Sequence, residues 1–127
     1  MEKQIINTKN APAAIGPYTQ GVKVGNLLFT SGQIPLDPQT GELVTGDVEK
    51  AAERVMLNLK AILEEAGTNF NNVVKTTVLL SDINDFGKVN EVYGRYFTED
   101  KPARSCFQIG KLPKDALLEI EVIAVVE

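Results

Sequence analysis

The chain has 127 residues, 43% of them hydrophobic and 24% charged, so residues 1–127 are expected to form a single soluble globular domain. Its 13 basic and 17 acidic residues give a net charge of −4, which argues against a general polyanion binder but leaves room for a small anion site. With no histidine and one cysteine, Cys106, the Ser-His-Asp and Cys-His arrangements, most zinc sites and any internal disulfide are excluded, and a reducing compartment fits.

The N-terminal stretch MEKQIINTKNAPAAIGPY lacks the apolar core of a secretory signal, and no apolar run approaches the roughly 18 residues of a membrane span. A cytoplasmic protein without a membrane partner is expected. A short strand is predicted around Gln4–Ile6. Residues Gly21–Val24 and Leu27–Ser31 flank Gly25-Asn26, a dipeptide suited to a two-residue hairpin turn. IPLDPQTGEL, dense in Pro, Asp and Gly, reads as an excursion or a loose second hairpin.

Residues 47–66 carry the strongest helical signal. Ala52, Val55, Met56, Leu59, Ile62, Leu63 and Ala66 recur at three and four, with Asp47 placed to cap the start and Gly67 the end. Val73–Leu80 is a β-branched run suited to a strand. Asp82 then caps a second predicted helix with Phe86, Val89, Tyr93, Tyr96 and Phe97 on one face, weakened by about 1 kcal/mol at each of Gly87 and Gly94. Two strands follow, near Ala103–Ile109 and Leu117–Val126. The fold class is α+β, a mixed sheet with two helices packed on one face. In the last strand both faces are apolar: Leu118, Ile120, Val122, Ala124 and Val126 on one, Leu117, Ile123 and Val125 beside Glu119 and Glu121 on the other. Two helices cover one side only, so an oligomer packed through sheet faces is expected.

Chemistry is sparse. In PARSCFQIG, Arg104, Cys106 and Gln108 share one strand face. An arginine on a strand expected to be half buried needs an anion, either a protein carboxylate or the carboxylate of a small ligand held by parallel hydrogen bonds. Glu119 and Glu121 sit on a largely apolar face, where burial raises a carboxyl pKa and a nearby arginine lowers it; the alternation does not say which of the two is functional. Cys106 reads as a small core residue, although Arg104 two positions away would favour its thiolate. Tyr18 follows a Gly-Pro turn and suits a cleft edge. Ser31-Gly32 end a strand, where glycine marks close approach of backbone to another group. No metal-ligand or calcium-loop spacing and no phosphate-cradling glycine motif occurs.

APAAIGPYTQG, TSGQIPLDPQTGE, NDFGKVNEVY, KPARSC and LPKDALLEIEVIAV run in an order that resembles, over essentially the whole chain, the RidA/YjgF family of reactive intermediate deaminases, members of which also carry the labels endoribonuclease L-PSP and translation inhibitor. The resemblance implies a chorismate-mutase-like homotrimer with clefts between neighbouring subunits. It also implies hydrolysis of 2-imino acids, such as 2-iminobutanoate and 2-iminopropanoate, to 2-oxo acids and ammonia, without cofactor or metal. Carried over by motif, Arg104 clamps the substrate carboxylate, Glu119 positions water and handles protons, and Cys106 lines the site. Tyr18, Ser31, Gly32 and Asn90 complete its walls. Lys101, Gly110 and Lys111 depart from common family residues and bear on the rim. Two other readings stand beside this one: a non-enzymatic 2-oxo acid-binding regulatory module, and an endoribonuclease. The acidic, histidine-free composition disfavours nucleic acid.

Overall fold

In the computed structural model, which describes residues 1–127, turn chemistry and alternation produce six strands and two helices. The strands are β1 (Lys3–Ile6), β2 (Gly21–Val24), β3 (Leu27–Thr30), β4 (Val73–Leu80), β5 (Ala103–Gln108) and β6 (Leu118–Val125), and the helices α1 (Val48–Glu65) and α2 (Phe86–Tyr96). They form one sheet in the order β1-β2-β3-β6-β4-β5. Only the β4–β5 pair is parallel, linked through α2. The β2–β3 hairpin turns at Gly25-Asn26, and Gly25 adopts the positive φ of 58° that a two-residue turn requires.

The α1 boundaries follow from its caps. The Asp47 carboxylate accepts from the N–H groups of Glu49 and Lys50 at 3.0 and 3.1 Å, an arrangement worth about 1 kcal/mol. Gly67, at φ 85°, reverses the chain after Ala66. The loose second hairpin is present: Leu36 bridges Leu43, and the Asp37 N–H donates to Glu42 O.

Both helices lie on one face of the sheet, against Leu118, Ile120, Val122 and Ala124 of β6, in a cluster of 23 buried residues. The opposite face carries Glu119, Glu121, Ile123 and Val125, with Phe29 42% and Phe107 56% exposed beside them. This apolar face has no cover within the chain. No helix is long and apolar enough to cross a membrane.

Three local expectations are corrected. Asp82 caps a 3-10 turn, Ile83–Asp85, that precedes α2; the helix itself starts at Phe86 without a side-chain cap. The inward face of α2 is Val89, Val92 and Tyr93, followed by Phe97, while Phe86 stays exposed and Tyr96 is only partly covered. The Tyr96 hydroxyl donates to Glu53 of α1, 2.7 Å from each carboxylate oxygen; burial and that carboxylate push the phenol up to about 12. Finally, β5 is an edge strand with no fully buried residue, not a half-buried one.

Candidate functional site

One cleft, of about 370 Å³, opens where β3 ends. The expected residues Tyr18, Ser31, Gly32 and Glu119 all line it, together with Gln33 and the loop residue Pro113. Gly32 meets Glu119 so closely that a Cβ there would overlap the carboxylate. This is the close approach the strand-ending glycine signalled. The juxtaposition is fixed by backbone, since Gln33 and Ile120 exchange N–H···O bonds of 2.8 and 3.1 Å directly beside the pair. Glu119 is half-buried, and its carboxyl lies above the ordinary carboxylate range, first through desolvation and second through the neighbouring Glu121 charge. Glu121 points from the same sheet face but is exposed. Tyr18 stands at the cleft edge, half exposed, its hydroxyl accepting from the Ile15 N–H at 3.4 Å. The Ser31 hydroxyl donates to Thr19 O and the Ser31 N–H to Gln20 O.

Gln20 is a residue that sequence reasoning missed. It is buried, and its amide accepts from the Thr8 N–H at 2.7 Å and donates to Thr8 O, Ala11 O and Pro12 O. That side chain ties the 8–12 segment, one lip of the cleft, to the start of β2. Nothing in its local pattern distinguishes it from a surface glutamine.

The second group of residues gathers around Arg104 on β5. Arg104 donates from Nη1 to Asn90 Oδ1 at 2.6 Å, and its guanidinium carbon sits 5.3 Å from the Phe86 ring centroid and 4.8 Å from that of Tyr93. Phe86, Asn90 and Tyr93 are spaced four and three along α2 and therefore share one helix face. Asn90 was expected; the two rings were not, although that spacing was available in the sequence. The Tyr93 hydroxyl is held in turn by Thr76 Oγ1 at 2.8 Å, and burial raises its pKa. Cation–π attraction and one hydrogen bond thus orient Arg104 while leaving the rest of its N–H fork free. No protein carboxylate pairs with it: the one ion pair in the chain is Lys111–Asp115 at 3.2 Å. Of the two kinds of anion open to this arginine, the internal one is absent.

Cys106 lies two residues on, in register with Val78, and shares the Arg104 side of β5. It packs partly buried against the core, and the thiolate that Arg104 alone would favour is not favoured. Burial pushes the thiol up, and Arg104 offsets this only in part.

Arg104 and Glu119 do not meet within the chain. Arg104 pairs in register with Thr76, which faces the helices, whereas Glu119 pairs with Leu79 on the open face. The expected residues therefore form two clusters on opposite sides of the sheet: Arg104, Asn90 and Cys106 on one, Tyr18, Ser31, Gly32 and Glu119 on the other. No group of His, Cys, Asp or Glu side chains is arranged to hold a metal ion.

The family model described as Endoribonuclease L-PSP matches residues 8–126. The chain belongs to that family, the RidA/YjgF proteins. A RutC family protein of Pyrococcus abyssi is 57% identical over 124 residues, spanning 98% of each chain. The mouse 2-iminobutanoate/2-iminopropanoate deaminase is 53% identical over 123 residues, 97% of this chain and 91% of the mouse protein. Among solved structures, Escherichia coli TdcF with bound serine superposes with a TM-score of 0.92 at 50% identity, covering 98% of this chain and 99% of that one. The α+β fold with two helices on a six-stranded mixed sheet is thus that of the RidA/YjgF proteins.

Proposed function

We propose that this RidA/YjgF protein is a 2-imino acid deaminase acting on 2-iminobutanoate and 2-iminopropanoate, in sites formed between copies of a homotrimer. The observation that carries the reading is an oriented arginine with no internal counter-ion. Arg104 is stacked on Phe86 and Tyr93, bonded to Asn90, and free to grip a small carboxylate by two parallel hydrogen bonds. The uncovered apolar sheet face supports assembly, and a second copy is what can bring an Arg104 to a Glu119 cleft. The named activity of the mouse relative and the bound serine of TdcF, a small amino acid, point to the same substrate class.

The chemistry asks little of the protein. A protonated imine, C=NH2⁺, is already electrophilic at carbon. Water adds as Glu119 takes its proton, giving a carbinolamine; the same carboxyl returns the proton to nitrogen, and on collapse to C=O the C–N bond breaks while the carboxylate takes the hydroxyl proton and passes it to the departing ammonia, which leaves as ammonium. Holding the anion and placing one water supply the rate. Cys106, with its thiol kept protonated by burial, contacts the substrate and does not attack it. The acidic, histidine-free surface gives no support to ribonuclease chemistry.

The test couples a threonine dehydratase to the protein and follows 2-iminobutanoate decay by semicarbazide trapping. Arg104→Ala should lose at least about 30-fold in rate, since removing a charge-paired anchor costs about 2–5 kcal/mol, while the exposed site leaves folding intact. Mixing unfolded Arg104→Ala and Glu119→Gln chains and refolding them together should then restore activity, to about a third of native in mixed trimers, because one interface in each combines both native residues. Binding of 2-oxo acids without imine turnover by the native protein would make it a binding module instead. Turnover with no restoration on mixing would show that Arg104 and Glu119 do not combine across one interface, and would overturn the shared-site reading.

A further inference from the structure

Asn58 is fully buried in the middle of α1, among Val55, Leu59 and Ile62. A local reading of α1 has no use for it: asparagine is a modest helix former, and a buried carboxamide is costly unless all its groups are bonded. Here they are. Oδ1 accepts two hydrogen bonds from Arg54, one turn earlier, at 3.1 Å from Nε and 2.8 Å from Nη2. Nδ2 donates to Ile34 O at 3.3 Å and to Leu36 O at 2.9 Å. The orientation of the amide is fixed by these partners, because a guanidinium can only donate and two carbonyls can only accept.

The two carbonyls belong to the segment that leaves the sheet after Gln33. Ile34 and Leu36 line the same cleft as Gly32 and Glu119. Beyond the Gln33–Ile120 bridge this segment pairs only with its own loop, where Leu36 bridges Leu43 between the Val44 N–H to Pro35 O and Asp37 N–H to Glu42 O bonds. On its other edge, Ile34 O takes only the tight Leu36 N–H contact and Leu36 O takes no backbone N–H. Asn58 therefore satisfies from the helix layer the two carbonyls that the loop's own pairing leaves unused, and it holds the cleft wall that runs from Gly32, beside Glu119, to Leu36. Arg54 keeps the donor end of the amide turned toward that wall.

Resting on the deaminase reading, we infer that Asn58 is a positioning residue for the reaction: held by Arg54, it sets the Gly32–Leu36 wall against which Glu119 places the attacking water. It touches no substrate. Because the carboxylate anchor Arg104 sits on the other half of the site, displacing this wall disturbs the water and leaves substrate binding in place.

The experiment uses Asn58→Asp, which still accepts from Arg54 but turns an oxygen toward two carbonyl oxygens, and Asn58→Leu, which removes both sets of bonds at similar size. Each is assayed with 2-iminobutanoate well below its own melting temperature. A wall displaced by about 1 Å should lower kcat at least about tenfold with KM within about twofold. Amide exchange at Leu36 and Val44 should accelerate while β4 amides keep their protection. A variant that folds but keeps native kcat and native exchange at Leu36 and Val44 overturns the inference. So does a rate loss that only tracks the fraction of folded protein. If neither variant folds, Arg54→Met, which leaves Asn58 in place but frees its amide to turn, should give the same split in smaller measure; native kcat there overturns it equally. Should the native protein hydrolyse no imine, the deaminase reading fails, and the exchange pattern alone still decides whether Asn58 holds this wall.

Discussion

Replacing Gly32 by alanine separates the geometry of the cleft from the stability of the fold. The added Cβ would lie 2.9 Å from Glu119 Cγ and 2.7 Å from Cδ, and would overlap a carboxylate oxygen. Carbon atoms normally rest about 3.5–4.0 Å apart, so the carboxyl must retreat by about 1 Å. The backbone of Gly32 does not lie in the left-handed region, so alanine brings no strain of its own. Nor can β6 shift, because Ile120 is bonded in both directions to Gln33 and paired with β4. The end of the Glu119 side chain is what yields. Such a rearrangement at an open cleft belongs near the low end of the 1–3 kcal/mol typical of overpacking, a melting shift of roughly a few degrees. A 1 Å error in the group that places water costs about 100-fold in rate, or about 2.7 kcal/mol of barrier. Calorimetry and the coupled imine-decay assay read the two effects separately. A folded Gly32→Ala protein with native turnover would refute the role given to the Gly32–Glu119 contact.

Two further outcomes follow from the titrating groups. Folding raises the Glu119 pKa, so the native state holds its proton more tightly than the unfolded chain, and stability declines as pH rises from the ordinary carboxylate range through the raised value. Glu119→Gln should therefore raise the melting temperature slightly at neutral pH, slightly because the group is only half-buried, and not at all in acid below the ordinary carboxylate range. The same substitution should abolish hydrolysis, and the native rate should fall on acidification along a limb displaced above that range; a stabilisation that persists undiminished in strong acid contradicts the desolvation account. Cys106→Ala should keep substantial activity, and the native thiol should react slowly with iodoacetamide at neutral pH, because burial outweighs Arg104 in setting its protonation. Complete loss of activity in a folded Cys106→Ala protein would assign the sulfur a chemical step.

Periodicity made the element order legible. The α1 stripe with Asp47 and Gly67 at its ends, the Gly25-Asn26 hairpin and the β-branched Val73–Leu80 run each state their own conformation within a few residues, and the structure reproduces them closely. Pairing between distant segments was not legible, because alternation says which residues of one strand share a face but not which face of the next strand they join. Arg104 and Cys106 were correctly placed together on that basis. Whether they also join Glu119 depends on β4 lying between β5 and β6, and no local signal encodes that order. The apolar period puts Phe86 on the same helix face as Val89 and Tyr93; in the structure it lies outside the core, beneath the Arg104 guanidinium. Gln20 and Asn58 escaped notice for a related reason. A buried carboxamide is identified by the backbone groups it satisfies, and those groups lie 8–12 residues away for Gln20 and 22–24 for Asn58.

Keeping Arg104 and Glu119 on opposite faces of the sheet has a chemical consequence. Two opposite charges about 4 Å apart at a protein surface attract by about 4 kcal/mol, which corresponds to a pKa shift of about 3 units. On the deaminase reading, an Arg104–Glu119 pair within one chain would occupy the guanidinium proposed to receive the substrate anion. It would also depress the carboxyl, leaving a weak base where proton transfer near neutral pH is needed. Separated by the sheet, Arg104 is held by rings and an amide that do not neutralise it, and Glu119 is pushed up by burial and by Glu121. In the proposed assembly the two come together from different subunits with room for a substrate between them. The arginine then meets the substrate's carboxylate before it meets the protein's own, and the glutamate keeps the basicity that its half-buried cleft confers.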